Sequence, residues 1–168
     1  DTTGGILLVD LQKAFDRVEW DWLMQVLNAF NFGNNFMKWI NICYKNANSS
    51  ILTNGYMSKS FNIKRGIRQG DSLSAMLFII QMEPLSEYIR QRHDISGILL
   101  PYVNENKEVE NHEIKLVQYA DDTSVIVRNL NDIEKCVSLI DDFGRASGAR
   151  MNKDKTKILV FNAEHHES

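Results

Sequence analysis

The chain has two cysteines and four histidines in 168 residues, and no long apolar run. Cys43 and Cys136 lack CxxC spacing, and no histidine is placed to complete a zinc site with them. We therefore expect reduced, partly buried packing cysteines in an intracellular protein; the sequence does not distinguish nucleus from cytoplasm. No stretch of ~18 apolar residues is present, and no basic-then-apolar signal sequence, so we expect no membrane partner.

Excess basic charge is also missing. The net charge of −3 weighs against a chain that binds nucleic acid unaided. The distribution is uneven, however, because residues 59–70 contain two lysines and two arginines but no acid, and residues 145–157 contain five basic residues and one acid. Such clusters meet phosphates in some proteins, although a solvated surface is the commoner explanation for each of them.

Two adjacent aspartates, Asp121 and Asp122, interrupt an apolar stretch at residues 115–127. The flanks are rich in Val, Ile, Tyr and Thr, which predicts two strands joined by a tight turn. Turns of this kind usually contain Asn-Gly or Asp-Gly, since glycine supplies the positive φ. Two like charges this close repel each other unless a cation lies between them or one takes a proton. The pair therefore indicates a cation site; the alternative is an exposed acidic hairpin tip.

A third carboxylate, Asp10, closes the apolar run at residues 5–9. A short continuous run of this kind is typical of a strand buried on both faces. Asp16 and Glu19 have the spacing of a helix capping box, which leaves Asp10 without a structural role. Three carboxylates from two strand ends suit hard divalent cations such as magnesium, and two-metal phosphoryl transfer uses this composition.

The rest of the pattern predicts an α+β fold. Its order of strand, two helices, hairpin, helix, hairpin, helix and strand indicates an antiparallel sheet with helices packed on one face. Residues 104–113 are polar and predict an exposed loop, and residues 163–168 form a polar tail. The predicted elements are helices over about 20–30, 36–44, 72–89 (kinked or restarted at Pro84) and 132–147 (with an Asn131/Glu134 capping box), a hairpin around Asn54-Gly55, and a last strand at 157–161.

Three stretches are informative in chain order: residues 10–16 (DLQKAFD), 65–74 (RGIRQGDSLS) and 119–122 (YADD). These stretches resemble motifs of reverse transcriptases. They are most similar to those of non-LTR (LINE-type) retrotransposons, as is the long two-helix insertion between the first two. Three motifs in order are far more specific than a lone Ala-Asp-Asp, and the likeness covers about residues 5–161. One departure is the absence of the proline that often follows Gln-Gly in this family.

The resemblance implies the palm subdomain of a right-hand polymerase together with part of the fingers subdomain. It also implies that residues 1–168 form a single incomplete domain, without the upstream part of the fingers and without the downstream thumb. It implies an RNA-directed DNA polymerase that takes an RNA template, a DNA primer and dNTPs, with two Mg²⁺ ions, or Mn²⁺ in their place. Asp10, Asp121 and Asp122 would be the catalytic metal ligands, with the Leu11 carbonyl as a further ligand. The isolated fragment is expected to have little or no activity.

The same motifs imply a nucleotide site. Phe15 would lie beneath the sugar and exclude a ribose 2′-hydroxyl, the alternative being a plain core aromatic. Gln69 and Gly70 would lie along the incoming nucleotide, where glycine lets the backbone approach closely. Lys155, with Lys153 as a rival, would lie near the leaving pyrophosphate, although a solvated lysine is an equal alternative.

Arg65, Gly66 and Arg68 would contact template or phosphate; surface charge and loop flexibility are the alternatives.

Other functions also remain open at this point. A degenerate retrotransposon remnant would keep the fold, or nucleic-acid binding, without catalysis. A nucleotidyl cyclase or an RNA-dependent RNA polymerase would use the same palm, and a metal-dependent hydrolase would use the paired carboxylates but has no candidate nucleophile beyond them.

Overall fold

A computed structural model describes residues 3–161, and the predicted polar tail at residues 163–168 lies outside that range. A single 3₁₀ turn, Phe15–Arg17, follows the first strand. The strands and helices in chain order are β1 (Gly4–Val9), α1 (Trp20–Ala29), α2 (Asn34–Tyr44), β2 (Asn48–Ser49), β3 (Leu52–Thr53), β4 (Tyr56–Met57), β5 (Phe61–Asn62), α3 (Ser72–Gln91), β6 (Ile98–Val103), β7 (Val109–Ile114), β8 (Leu116–Tyr119), β9 (Asp122–Val127), α4 (Asp132–Ser147) and β10 (Lys157–Phe161).

The central sheet has the strand order β10-β1-β9-β8, and all neighbours are antiparallel. One face is closed, with Leu7, Val125 and Val127 almost fully buried. Ile6 and Leu8 alternate onto the other face and are only half-buried. The expectation that this strand is buried on both faces is therefore wrong, because its continuous apolar run serves one core face and one open face.

Helices α1, α3 and α4 pack against one another, and α3 and α4 also contact strands β8 and β9. Their inward residues form the core with the sheet, among them Leu23 of α1 and Phe78 of α3. Cys136 of α4 is fully buried, and burial raises the pKa of its thiol to about 11, so it is a protonated packing residue at neutral pH. Cys43 of α2 is exposed, so the prediction of a partly buried cysteine is wrong there.

Helix boundaries differ from the predicted caps. Asp16 lies in the 3₁₀ turn, and α1 begins at Trp20 without a side-chain cap. The carboxylate of Glu19 instead pairs with Arg65 at 3.2 Å, which explains why the Asp16/Glu19 capping box does not form. Helix α4 likewise has no side-chain cap. Helix α3 is capped by Asp71, whose Oδ1 accepts a hydrogen bond from the Leu73 N–H at 3.0 Å, and it runs without interruption through Pro84.

Two ribbons extend from this body. The first carries the predicted Asn54-Gly55 turn and pairs β3 with β4 and β2 with β5, while residues 50–62 are exposed throughout. The second pairs β6 with β7, so only residues 104–108 form the loop that was predicted over 104–113. Because β7 is polar on both faces, it lacks the apolar alternation from which a strand is usually predicted. No helix within residues 3–161 is long and apolar enough to cross a membrane.

Lys115 joins α3 to the central sheet from a buried position. Its Nζ donates to the carbonyl oxygens of Arg90 at 3.2 Å and Arg92 at 2.6 Å, at the C-terminal end of α3. The same ammonium group lies 3.3 Å from a carboxylate oxygen of Glu113. A cation at the end of a helix satisfies carbonyls that have no partner within the helix. Lys115 is therefore a structural tether between α3 and β8.

We expect Lys115→Met to lower the free energy of unfolding by about 2 kcal/mol, because the α3 carbonyls lose a buried donor. The control Lys59→Met removes an exposed lysine and should change it by less than about 0.5 kcal/mol. Urea unfolding followed by circular dichroism measures both values. Equal losses in the two variants would contradict the tether.

Candidate active site

The Asp121–Asp122 hairpin is the tight turn that the sequence predicts. Tyr119 pairs with Asp122 in the β8–β9 ladder, so Ala120 and Asp121 are the two turn residues. Ala120 has a φ of +51°, a conformation that is strained for a residue with a side chain. Both aspartates are exposed. Strained backbone of this kind persists where the surrounding structure enforces it, and it is frequent at functional sites.

Asp10 lies at the same end of the sheet. The β1–β9 register pairs Leu8 with Ser124 and Val9 with Thr123, so its continuation sets Asp10 opposite Asp122. Residues that face each other in antiparallel strands have Cα atoms roughly 4.5–5.5 Å apart. The Asp10 backbone is anchored on its other side, since its N–H donates to Thr156 Oγ1 at 3.2 Å and its carbonyl accepts from the Asn152 N–H at 2.8 Å.

Asp10, Asp121 and Asp122 offer the donor atoms that a divalent cation needs. Within residues 3–161, the side chains of Asp10, Asp121 and Asp122 have no ion-pair partner. Carboxylate oxygens are the ligands that Mg²⁺ and Mn²⁺ prefer. However, no three His, Cys, Asp or Glu side chains in the described part of the chain are spaced to hold a metal ion. The donor chemistry and the strand register therefore fit a divalent cation, but the three carboxylates do not converge on one point in this structure.

A cavity of ≈ 420 Å³ opens beside Asp10. It brings Asp10 and Leu11 of the first motif together with Lys155, whereas the rival Lys153 does not line it. Two cations that sequence reasoning missed, Lys13 and Arg17, also line the cavity. Both lie within seven residues of Asp10 in the chain, and that proximity was the available signal.

The Arg17 side chain is held in place by a hydrogen bond to the backbone of Gly148. Its Nε donates to the Gly148 carbonyl at 2.9 Å, at the left-handed residue that ends α4. A Cβ at Gly148 would lie 2.4 Å from the Arg17 carbonyl oxygen, so only glycine permits this contact. The loop after α4, which leads to Lys155, is therefore packed directly on the 3₁₀ turn.

Phe15 of the first motif contacts both helix α3 and the second motif. Its ring stacks on Phe78 of α3 with centroids 4.5 Å apart and planes 12° apart, and it is half-buried. Its carbonyl accepts a hydrogen bond from the Ile67 N–H at 2.9 Å. These contacts agree with the alternative of a core aromatic, and the sugar-selecting role stays a prediction.

The second motif lines a different cavity. Arg65, Gly66, Arg68 and Gln69 lie along a space of ≈ 470 Å³ that Trp20 also lines. Asp10 and Lys155 are not among the lining residues of this space. The structure thus brings the predicted template-contacting residues together, but in a cavity separate from the one that contains Asp10.

Gly66 has a specific reason to be glycine, so loop flexibility is the wrong explanation for it. Its φ is +91°, and a Cβ there would lie 2.8 Å from the Asp16 carbonyl oxygen. Its N–H donates to the Val18 carbonyl, and its own carbonyl accepts from Trp20 Nε1, both at 2.8 Å. Gly70 also has a positive φ of +85° but has open space around it.

Residues 2–167 match the model of the family described as reverse transcriptase (RNA-dependent DNA polymerase). The chain belongs to the reverse transcriptase family. This reverse transcriptase domain is 31% identical over 154 residues to a transposon TX1 protein of 149 kDa from Xenopus laevis, with 92% of the chain and 11% of the relative covered. It is 25% identical over 147 residues to the Pol polyprotein of the type-2 retrotransposable element R2DM from Drosophila melanogaster, with 88% and 13% covered. The predicted membership in the non-LTR retrotransposon group is confirmed.

Solved structures confirm the predicted right-hand polymerase fold. The reverse transcriptase domain superimposes on apo telomerase from Candida tropicalis with a TM-score of 0.69 at 15% identity, covering 97% of this chain and 30% of that one. Telomerase from Candida albicans in complex with a TWJ fragment of telomeric RNA gives a TM-score of 0.65 at 17% identity, covering 96% and 27%. The chain thus spans under a third of these structures and about a tenth of the retrotransposon relatives.

We expect Gly66→Ala to lower the free energy of unfolding by about 3 kcal/mol, since it adds a steric clash with Asp16 to a strained φ. Gly55→Ala is the matched control, because Gly55 has a φ of +79° but no atom near its Cβ position. It should lose only about 1 kcal/mol. Chemical denaturation of the two variants measures the difference, and similar losses would show that the close approach at Gly66 is unimportant.

Proposed function

We propose that this domain is the catalytic palm of an RNA-directed DNA polymerase, which transfers a nucleotide from a dNTP to the 3′-hydroxyl of a primer. The β1–β9 register, which sets Asp10 opposite Asp122 and beside the Asp121 turn, is the main observation in support. The family description supports the use of an RNA template. A DNA primer and dNTPs are the substrates that this activity requires.

Asp10 and Asp121 are the proposed ligands of two Mg²⁺ ions, or of Mn²⁺ in their place. Asp122 lies beside them, and the Leu11 carbonyl is the further ligand that we assign. Ions bound there would lower the pKa of the primer hydroxyl and stabilise the leaving pyrophosphate. Asp10 and Leu11 both line the ≈ 420 Å³ cavity, which supports their acting on one substrate.

The same cavity supports phosphate binding by Lys155. The ammonium group of Lys155 would neutralise charge on the leaving pyrophosphate, and the neighbouring Lys13 and Arg17 add to that potential. Phe15, whose ring stacks on that of Phe78, would lie under the deoxyribose of the incoming nucleotide.

The second cavity is proposed to receive the template side of the substrate. Gln69 and Gly70 would lie along the incoming nucleotide, and Gly70 has the open space that a close ligand needs. Arg65, Gly66 and Arg68 would contact template or phosphate from the ≈ 470 Å³ cavity.

A specific observation favours one competing function. The three carboxylates do not converge within residues 3–161, as expected of a degenerate retrotransposon-derived domain that keeps only its fold or nucleic-acid binding. Retention of all three aspartates favours the enzyme instead. Primer extension on an RNA template separates the two, using an intact polymerase that contains this domain. Absence of extension with Mg²⁺ and dNTPs would remove the enzyme function; the 168-residue chain alone should show little or none.

Asp121→Asn should abolish metal-dependent activity and leave the fold intact or slightly more stable, because a repulsion between like charges is relieved. At ten times its dissociation constant, Mg²⁺ should add about 1.4 kcal/mol to wild-type stability, or about 4 °C in Tm, and clearly less in the variant. Thermal unfolding with and without Mg²⁺ measures this. The control Asp141→Asn removes an exposed carboxylate of α4 and should respond as the wild type does.

Phe15→Ala, in an active polymerase that contains this domain, should admit ribonucleotides, because the bulk beneath the sugar is lost. Single-nucleotide incorporation of dNTPs and rNTPs measures the selectivity. The result also separates this function from an RNA-dependent RNA polymerase or a nucleotidyl cyclase, neither of which excludes a ribose. Unchanged selectivity would leave Phe15 as a core aromatic only.

A further inference from the structure

Gln118 of β8 bridges helix α3 and strand β9 through both ends of its side-chain amide. Ser86 Oγ on α3 donates to Gln118 Oε1 at 2.5 Å, and Gln118 Nε2 donates to Thr123 Oγ1 on β9 at 3.0 Å. Ser86 and Thr123 are buried, with 0% and 3% of their surface exposed. A glutamine that satisfies its oxygen and its nitrogen with two different elements has one favoured orientation.

This chain of hydrogen bonds lies directly beneath the acidic turn. Gln118 and Thr123 face each other in the β8–β9 ladder, and the next pair is Tyr119 with Asp122. Beyond that pair only Ala120 and Asp121 remain. The bridge is therefore one residue pair away from the turn that contains the carboxylates, on the face that packs against α3.

Apart from the backbone pairing of β9 with β8 and β1, the turn has few other restraints from side chains. Tyr119 is 84% exposed, and Asp121 and Asp122 are exposed as well. Ala120 holds a φ of +51°, which disfavours the turn and must be offset by contacts elsewhere. Within the described chain, the Gln118 amide provides the side-chain hydrogen bonds that connect this end of the hairpin to the helical layer.

We infer that Gln118 is a positioning residue, which fixes the tip of the hairpin on α3 so that Asp121 and Asp122 are held in their place opposite Asp10. Loss of the bridge lets the tip move relative to β1, and the carboxylates then bind a divalent cation less tightly. This inference rests on the proposed metal site for its effect on cation binding. The effect on the tip itself does not depend on that site.

The test compares Gln118→Met with the wild-type chain, since methionine has a similar length and no hydrogen-bonding amide. Amide hydrogen exchange of residues 119–122, measured by NMR without metal, should accelerate by about fivefold or more, the equivalent of one lost hydrogen bond. Mn²⁺ affinity, measured by isothermal titration, should fall by a similar factor. Lys115→Met is the control, because it weakens the other end of the same α3–β8 contact and should leave both quantities within about twofold despite its lower stability.

A pair of variants at Thr123 tests the bridge without changing Gln118. Thr123→Ser keeps the hydroxyl and should retain the wild-type exchange and affinity. Thr123→Val keeps the shape, removes the hydroxyl and should resemble Gln118→Met. If Gln118→Met does not fold, the comparison of Thr123→Ser with Thr123→Val shows whether the bridge positions the tip of the hairpin.

Two results would overturn the inference: exchange at the tip that is unchanged in both Gln118→Met and Thr123→Val, or an equal acceleration in Lys115→Met. Failure of the proposed function has a different signature. In that case the wild type and Asp121→Asn bind Mn²⁺ equally, while the metal-free exchange of residues 119–122 still reports whether Gln118 positions the hairpin.

Discussion

The pairing of β1 with β9 is the interaction on which the rest of the molecule depends. These two central strands are distant in sequence, and their register decides both halves of the structure. On one face it aligns Leu7 with Val125 in the core beneath α3 and α4. At one end it sets Asp10 opposite Asp122. A slip of one residue would turn the apolar side chains outward and carry the carboxylate to the wrong face, so packing and chemistry are specified by the same hydrogen bonds.

Local patterns in the sequence were sufficient for those parts of the fold in which a short segment determines its own conformation. The Asn54-Gly55 turn, the strand that ends before Asp10 and the hairpin at Asp121 are of this kind. Prediction failed where a distant residue changed the local preference. Glu19 pairs with Arg65 instead of completing a capping box, and no pattern within one helix contains that information.

The candidate site likewise has residues that the sequence identifies and spatial relations that it does not. Residue types and their order were enough to select Asp10, Asp121 and Asp122, since three carboxylates at strand ends have few structural uses. The position of Lys155 beside Asp10 follows from a cavity formed by segments more than a hundred residues apart in sequence. Arg17 lies close to Asp10 in the chain, but the hydrogen bond that holds its guanidinium, to the carbonyl of Gly148, is not visible in the sequence. The separation of the two cavities has no counterpart in the sequence at all.

The 3₁₀ turn at Phe15–Arg17 contributes residues to both cavities and to the core. With about three residues per turn, consecutive side chains diverge by about 120°, so three neighbours reach three environments. Phe15 stacks on the core, Asp16 lines the cavity of the second motif, and Arg17 lines the cavity of Asp10. Insertion or deletion of one residue would rotate each side chain into its neighbour's environment. The length of this segment is therefore as constrained as its composition, and variation among related domains should take the form of substitutions here and of altered lengths only in the exposed ribbons.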